Sequence, residues 1–252
     1  MHQGNEIVRK DMNKITGRYA KEKDPALKIV ELLLDYQADP NKEDLYGLVA
    51  LHHAAMRDNG DIARLLVNRG GNIKQEDKQG NTPLHIAATY GNTKVVGVLL
   101  EAKSDVMLHD EKGQNPLHKA ASSGNHNTMN VMIDSLDDEI LQSLMREKDR
   151  DGNTPLMLAV ASGCFECVKI ILEKVEDEKF LTSSNNHGEY PIHLGVRSGN
   201  KDIVELLHLH GASLDQANGI GQTPVYLAAE CPLHNEIEDE ECIDIIEYLI
   251  NK

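Results

Sequence analysis

The chain has 252 residues, 40% of them hydrophobic, enough for the core of one or two ordinary domains. Acidic side chains outnumber basic ones 41 to 26, for a net charge of -15, which repels phosphate backbones and anionic lipid and argues against nucleic acid as a partner. Aromatics are only 4% and Trp is absent, leaving little material for base-stacking platforms or a sugar cleft. The four cysteines, with no N-terminal apolar stretch, fit an intracellular, cytoplasmic setting better than a disulfide scaffold. No apolar run approaches the roughly 20 residues of a membrane helix, so direct membrane insertion is not expected.

Taken in chain order, the first strong signal is Gly47-Leu-Val-Ala-Leu-His52. It returns as Gly80-Asn-Thr-Pro-Leu-His85, Gly113-Gln-Asn-Pro-Leu-His118, Gly152-Asn-Thr-Pro-Leu-Met157, Gly188-Glu-Tyr-Pro-Ile-His193 and Gly221-Gln-Thr-Pro-Val-Tyr226. Subtracting the glycine positions gives spacings of 33, 33, 39, 36 and 33, the mark of a repeat architecture. After each motif the sequence predicts a short helix A. In the second unit Thr82 is its N-cap, Pro83 fills the first helical position, where no backbone donor is missed, and Ala87 and Ala88 allow close approach. Gly91 supplies the left-handed turn that ends it, and Asp58 occupies the equivalent place in the first unit. A second helix B follows, with Val95, Val96, Leu99 and Leu100, or Ile203, Val204, Leu206 and Leu207, on one face.

The period of 33, the Thr-Pro-Leu-His tetrapeptide and closing stretches such as His210-Gly-Ala-Ser-Leu214 resemble the ankyrin-repeat family over residues 26 to 252. The resemblance implies an all-α repeat solenoid of stacked helix-turn-helix units with β-hairpin-like loops. The expected divisions are a degenerate N-terminal repeat or cap at 1–43, whose Leu27 to Asn41 resembles a helix B, and repeats at 44–76, 77–109, 110–148, 149–184, 185–217 and 218–252. Family members usually bind proteins along the concave side, lined by loop tips and the exposed face of each helix A. Aligned on that pattern, the expected partner-binding positions are Leu45, Tyr46, Met56 and Arg57, then Lys78, Gln79, Asn81, Thr89 and Tyr90, then Glu111, Lys112 and Gln114, and finally Arg150, Asn153, His187, Glu189 and Arg197. The first group is the most apolar and holds the aromatic, Met and Arg types that carry interface energy, so a hot spot is expected there.

Departures from the repeat mark its special places. Met157 and Tyr226 replace the motif histidine and Tyr190 the threonine, so weaker links are expected around those units. The extra residues of the longer spacings are expected after helix B, within Asp134 to Lys148 and Lys174 to Thr182, where Ile140, Leu141, Leu144 and Met145 have helical spacing. The last unit is lengthened by nine residues that include the acidic run Glu236 to Glu241.

Cys164 and Cys167 form a Cys-x-x-Cys, but Cys167 falls where other units have Val95 or Ile203, a core position, and two thiols fall short of a zinc site. Cys164 stands near a helix start, which can lower a thiol pKa. The recurring His52, His85, His118 and His193 belong to the turns rather than to a metal or catalytic centre. No Walker loop, His-Glu-x-x-His or nucleophile elbow is present, so no enzyme activity, cofactor or metal is expected. Two readings compete: a free-standing adaptor or scaffold for a protein partner, and the cytosolic array of a larger membrane protein such as a TRP-ankyrin type cation channel, which segments such as Arg150 to Leu156 loosely resemble. An interior-type pattern at Ile245, Ile246 and Leu249 leaves open whether the last helix is a cap.

Overall fold

The computed structural model describes residues 24–175, 179–234 and 239–252. Among them every regular element is a helix. One layer holds the A helices: α2 (Ala50–Ala55), α4 (Pro83–Tyr90), α6 (Pro116–Ser122), α9 (Pro155–Ala161), α12 (Pro191–Arg197) and α14 (Pro224–His234). The other holds the B helices: α1 (Pro25–Asp35), α3 (Gly60–Asn68), α5 (Thr93–Glu101), α7 (His126–Ser135), α10 (Phe165–Lys174), α13 (Lys201–Leu209) and α15 (Asp239–Ile250). Two further helices, α8 (Asp138–Arg146) and α11 (Lys179–Thr182), fall in the expected insertions. Each A helix packs on its own B partner and on the A helices of adjacent repeats, while B packs on B. One apolar core therefore runs from Val49 to Leu249, and a single unit removed from the stack would expose its faces to water.

The six A helices are six to eleven residues long, too short to hold alone, and side chains fix their starts. The imidazole Nδ1 of His85 accepts the Thr82 N–H at 3.2 Å and the Thr82 hydroxyl at 2.8 Å, doing the work of the acid in a capping box. Close approach is secured by small residues: Ala55, Ala88 and Ala121 are fully buried. At the ends of A helices the chain turns left-handed through Gly91, Gly124, Gly163 and Gly199, and through Asp58 at φ 49° in the first repeat. The Asp58 carboxylate accepts the N–H groups of Lys94 and Val95 in the next repeat, which offsets the backbone cost a glycine would avoid.

The insertions form one structure. Asp137 caps α8 by accepting the Ile140 N–H at 2.9 Å, and Leu141, Leu144 and Met145 are buried. Phe180 and Leu181 of α11 are buried too, and the Arg146 guanidinium lies 5.6 Å from the Phe180 ring centroid. Gln142 donates to the Lys174 carbonyl at 2.7 Å, tying the first insertion to the end of α10. The added length of the last repeat is partly absorbed by the eleven residues of α14. Of the acidic run, residues 236–238 lie outside the described residues.

At Tyr190 the expected loss of bonding is limited to one side-chain contact. His193 accepts the Tyr190 backbone N–H at 3.2 Å and donates from Nε2 to the Gln222 carbonyl at 3.2 Å, as its counterparts do. The cap bond comes from the main chain, so replacing threonine removes only one hydroxyl. The units that lack the histidine are those with Met157 and Tyr226: Met157 is fully buried, and the caps are instead Thr154 Oγ1 accepting the Met157 N–H at 3.3 Å and Thr223 Oγ1 accepting the Tyr226 N–H at 3.4 Å.

Candidate functional site: the fingers and the exposed face of the A helices

Each repeat enters helix A through a tight finger built on one side chain. Asp44, Asp77, Asp110, Asp149, Asn185 and Asn218 each place Oδ1 against two backbone N–H groups, two and four residues ahead, at 2.8 to 3.1 Å. The same residue's own N–H closes the finger onto the carbonyl four residues on, as Asp77 does with Asn81 at 2.9 Å. These residues were not singled out by sequence reasoning. The signal was there, because an Asp or Asn stands three positions before every motif glycine.

The fingers are also tied to one another. Lys78 N–H donates to the Tyr46 carbonyl, Glu111 to Gln79, Arg150 to Lys112, Asn186 to Asp151 and Gly219 to Gly188, at 2.9 to 3.1 Å. Gly188 shows how tight this is: at φ 73°, an added Cβ would stand 2.4 Å from the Gly219 Cα. Beneath the fingers the motif histidines form a second tie. With Nδ1 accepting a backbone N–H, Nε2 carries the proton and donates into the next repeat: His52 to Asn81 at 3.0 Å, His85 to Gln114 at 3.0 Å, shared with Leu108 at the end of its own repeat at 3.1 Å, and His118 to Asn153 at 3.2 Å. Burial holds each of these imidazoles below the ordinary histidine pKa, most strongly His85, which falls to about 4. They are neutral structural donors at physiological pH.

On this frame the expected partner-binding residues divide into two sets. Leu45 (85% exposed), Tyr46 (67%), Arg57, Lys78, Gln79, Tyr90 (57%), Glu111, Lys112, Arg150 and His187 stand free in solvent. The others are partly engaged. Met56 packs against the core. Asn81 bonds the Asp77 carboxylate, Gln114 donates to Asp149 at 3.0 Å, and Asn153 accepts from Asn185 at 3.0 Å. Thr89 donates to the His85 carbonyl at 2.9 Å, and Arg197 pairs with Glu189 at 2.8 Å. One contributor was missed: Lys119 forms a nearly buried ion pair with Asp110 at the base of the third finger. Burial alone would raise the Asp110 pKa, but Lys119 and the turn N–H groups outweigh it and hold the carboxyl low. Arg57 also edges an apolar groove of about 450 Å³ between α1 and α2–α3, lined by Ala26, Val30, Ala54, Ile62 and Leu66.

The Cys-x-x-Cys has a structural explanation. Cys164 occupies the N-cap of α10, where other B helices have Asn59, Asn92, Asn125 and Asn200. Its Sγ accepts the Cys167 N–H at 3.4 Å and donates to the Gly124 carbonyl of the preceding repeat at 3.5 Å, as Asn125 Nδ2 bonds Ala88 at 2.9 Å. Cys167 is fully buried and burial pushes its thiol pKa up. Among the described residues no group of three or more His, Cys, Asp or Glu is arranged to hold a metal ion, and no helix is long and apolar enough to cross a membrane.

What emerges is a stacked helical repeat scaffold that presents variable side chains from a hydrogen-bonded frame. A family model for ankyrin repeats (three copies) matches residues 18–110 and 99–182, and the single ankyrin-repeat model matches residues 187–219. Among solved structures, the ankyrin repeat domain of human ASB11 superposes with a TM-score of 0.72 at 22% identity, covering 89% of this chain and 92% of that one, a likeness of fold. A comparison with curated proteins returns no match. The chain belongs to the ankyrin-repeat family, whose members are generally protein–protein interaction modules.

Proposed function

We propose that this chain is a non-enzymatic scaffold of the cytoplasm that binds a partner protein across its finger tips and the exposed face of its A helices, with repeats divided at residues 44, 77, 110, 149, 185 and 218. One observation carries the reading. The polar groups of the finger backbone are used within and between fingers, while Leu45, Tyr46, Lys78, Tyr90, Lys112 and Arg150 project into solvent from that rigid frame. A backbone held this way loses little freedom on binding, which lowers the cost of forming a specific interface.

The test compares proteins captured by the wild-type chain and two variants. One is altered on the fingers (Tyr46→Ala, Tyr90→Ala, Arg150→Glu); the other exchanges the exposed Lys169 and Glu173 on α10. Partners lost only with the finger variant are expected. Partners lost only with the α10 variant would place binding on the B layer and overturn the reading. The size and membrane fractionation of the native polypeptide separate a free-standing adaptor from the cytosolic array of a larger membrane protein.

A further inference from the structure

We infer that the first four fingers take an extended, acidic segment of the partner, anchored by an apolar or aromatic side chain at Leu45 and Tyr46. The inference rests on the proposed finger-face binding and specifies its chemistry. The anchor end is set by exposure and rigidity: Leu45 and Tyr46 are 85% and 67% exposed side by side, yet the Tyr46 N–H is held by Asp44 at 2.8 Å and its carbonyl by Lys78 at 3.1 Å. An exposed aromatic on a backbone already held in place is a common centre of an interface.

Cations without an ion pair among the described residues also occur on the B layer, at Lys94 and Lys169, so the charge of the partner follows from the regular placing of three cations on successive tips. On the B layer Arg64 pairs with Glu101 and Arg69 with Asp35, and at the third finger's base Lys119 pairs with Asp110. Lys78, Lys112 and Arg150, on three successive tips, make no ion pair among the described residues. The Arg150 side chain leaves its tip over Gly113, its Cγ lying 3.2 Å from where a Cβ on that glycine would stand. Glu111 and Asp151 share the third and fourth tips, so each of those tips offers one cation beside one carboxylate; Glu43 and Glu76 sit on the legs before the turns, and the turn carboxylates Asp44 and Asp77 are occupied by backbone N–H groups of their own fingers. Beyond Arg150 the tips are Asn186, His187, Gly219 and Ile220, and the cations stop.

Packed helices lie about 8–10 Å apart, and an extended chain advances about 3.3 Å per residue, so a segment crossing the tips meets a new finger about every third residue. The fitting partner has an aromatic or aliphatic residue followed by Asp or Glu at about every third position, with neutral residues between, where Glu111 and Asp151 would repel an unbroken acidic run.

Selection of random peptides displayed against the full-length chain tests this, with binding of recovered peptides then measured by fluorescence polarisation. Acidic peptides with one apolar anchor are expected. Lys78→Glu/Lys112→Glu/Arg150→Glu should weaken them about tenfold or more, and raising salt should weaken them on the wild type. If the reversal perturbs the circular dichroism spectrum, the triple Gln variant at the same positions replaces it, with a smaller loss expected. Neutral or basic peptides that are lost on Tyr46→Ala but indifferent to charge reversal would overturn this inference and leave finger-face binding standing. Peptides indifferent to every finger variant would overturn both, and an empty selection would overturn the extended-segment inference.

Discussion

Replacing His85 by Met would test the inter-repeat tie most sharply, because the chain already carries Met157 at the equivalent position of another repeat. The substitution removes the acceptor for the Thr82 N–H and hydroxyl and the donor to the Leu108 and Gln114 carbonyls. At about 1 kcal/mol net per lost bond, with some return from a buried thioether and from Thr82 turning to cap helix α4 as Thr154 caps α9, the expected loss is about 2–3 kcal/mol at pH 7.5.

The pH dependence supplies a stricter check. Burial lowers the folded-state pKa of His85 from 6.5 to about 4, so the neutral imidazole's contribution is fully present above 6.5 and is lost as pH falls towards 4. That interval corresponds to about 3 kcal/mol, comparable to the whole expected loss. Wild type and His85→Met should therefore differ by about 2–3 kcal/mol at pH 7.5 and converge near pH 4.5, as read by urea denaturation followed by circular dichroism. The other histidines are common to both proteins, so their contributions cancel in the comparison. A difference below about 0.5 kcal/mol at neutral pH, or one that stays constant into acid, would refute the bridging role.

Two other substitutions probe the frame. Gly188→Ala forces a left-handed alanine whose Cβ meets the Gly219 backbone, so a loss beyond about 2 kcal/mol is expected in denaturant, and a loss under 1 would show that the fingers separate freely. Cys164→Asn restores the amide found at the other N-caps, and a melting temperature equal to or above wild type is expected; a clear fall would mean the thiol does something an amide cannot.

Much of this architecture was legible because glycine spacing, the Pro-Leu-His run and paired aliphatics each report a local constraint that recurs. The helix in the first insertion was visible for the same reason: Leu141, Leu144 and Met145 repeat with helical spacing and are buried. Its contact with the second insertion, through Arg146 and Phe180, was not, since nothing local in sequence couples residues so far apart. At Tyr190 sequence showed the loss of a hydroxyl but not the main-chain N–H, carried by every residue but proline, that still caps the helix through His193. In the candidate site, sequence found the exposed tips but did not separate Lys78, Lys112 and Arg150 from Asn81, whose amide is spent within its own turn, or from Gln114 and Asn153, whose amides are spent on neighbouring turns. That division depends on finger-to-finger geometry, and the Asp and Asn residues that create it lie outside the familiar tetrapeptide.

The most direct measurement of the central claim is amide hydrogen exchange of the chain alone and bound to a captured partner. The account predicts added protection confined to the fingers and helices α2, α4 and α6, with the B helices unchanged. Protection on α3, α5, α7 and α10, with the fingers exchanging as in the free chain, would contradict it.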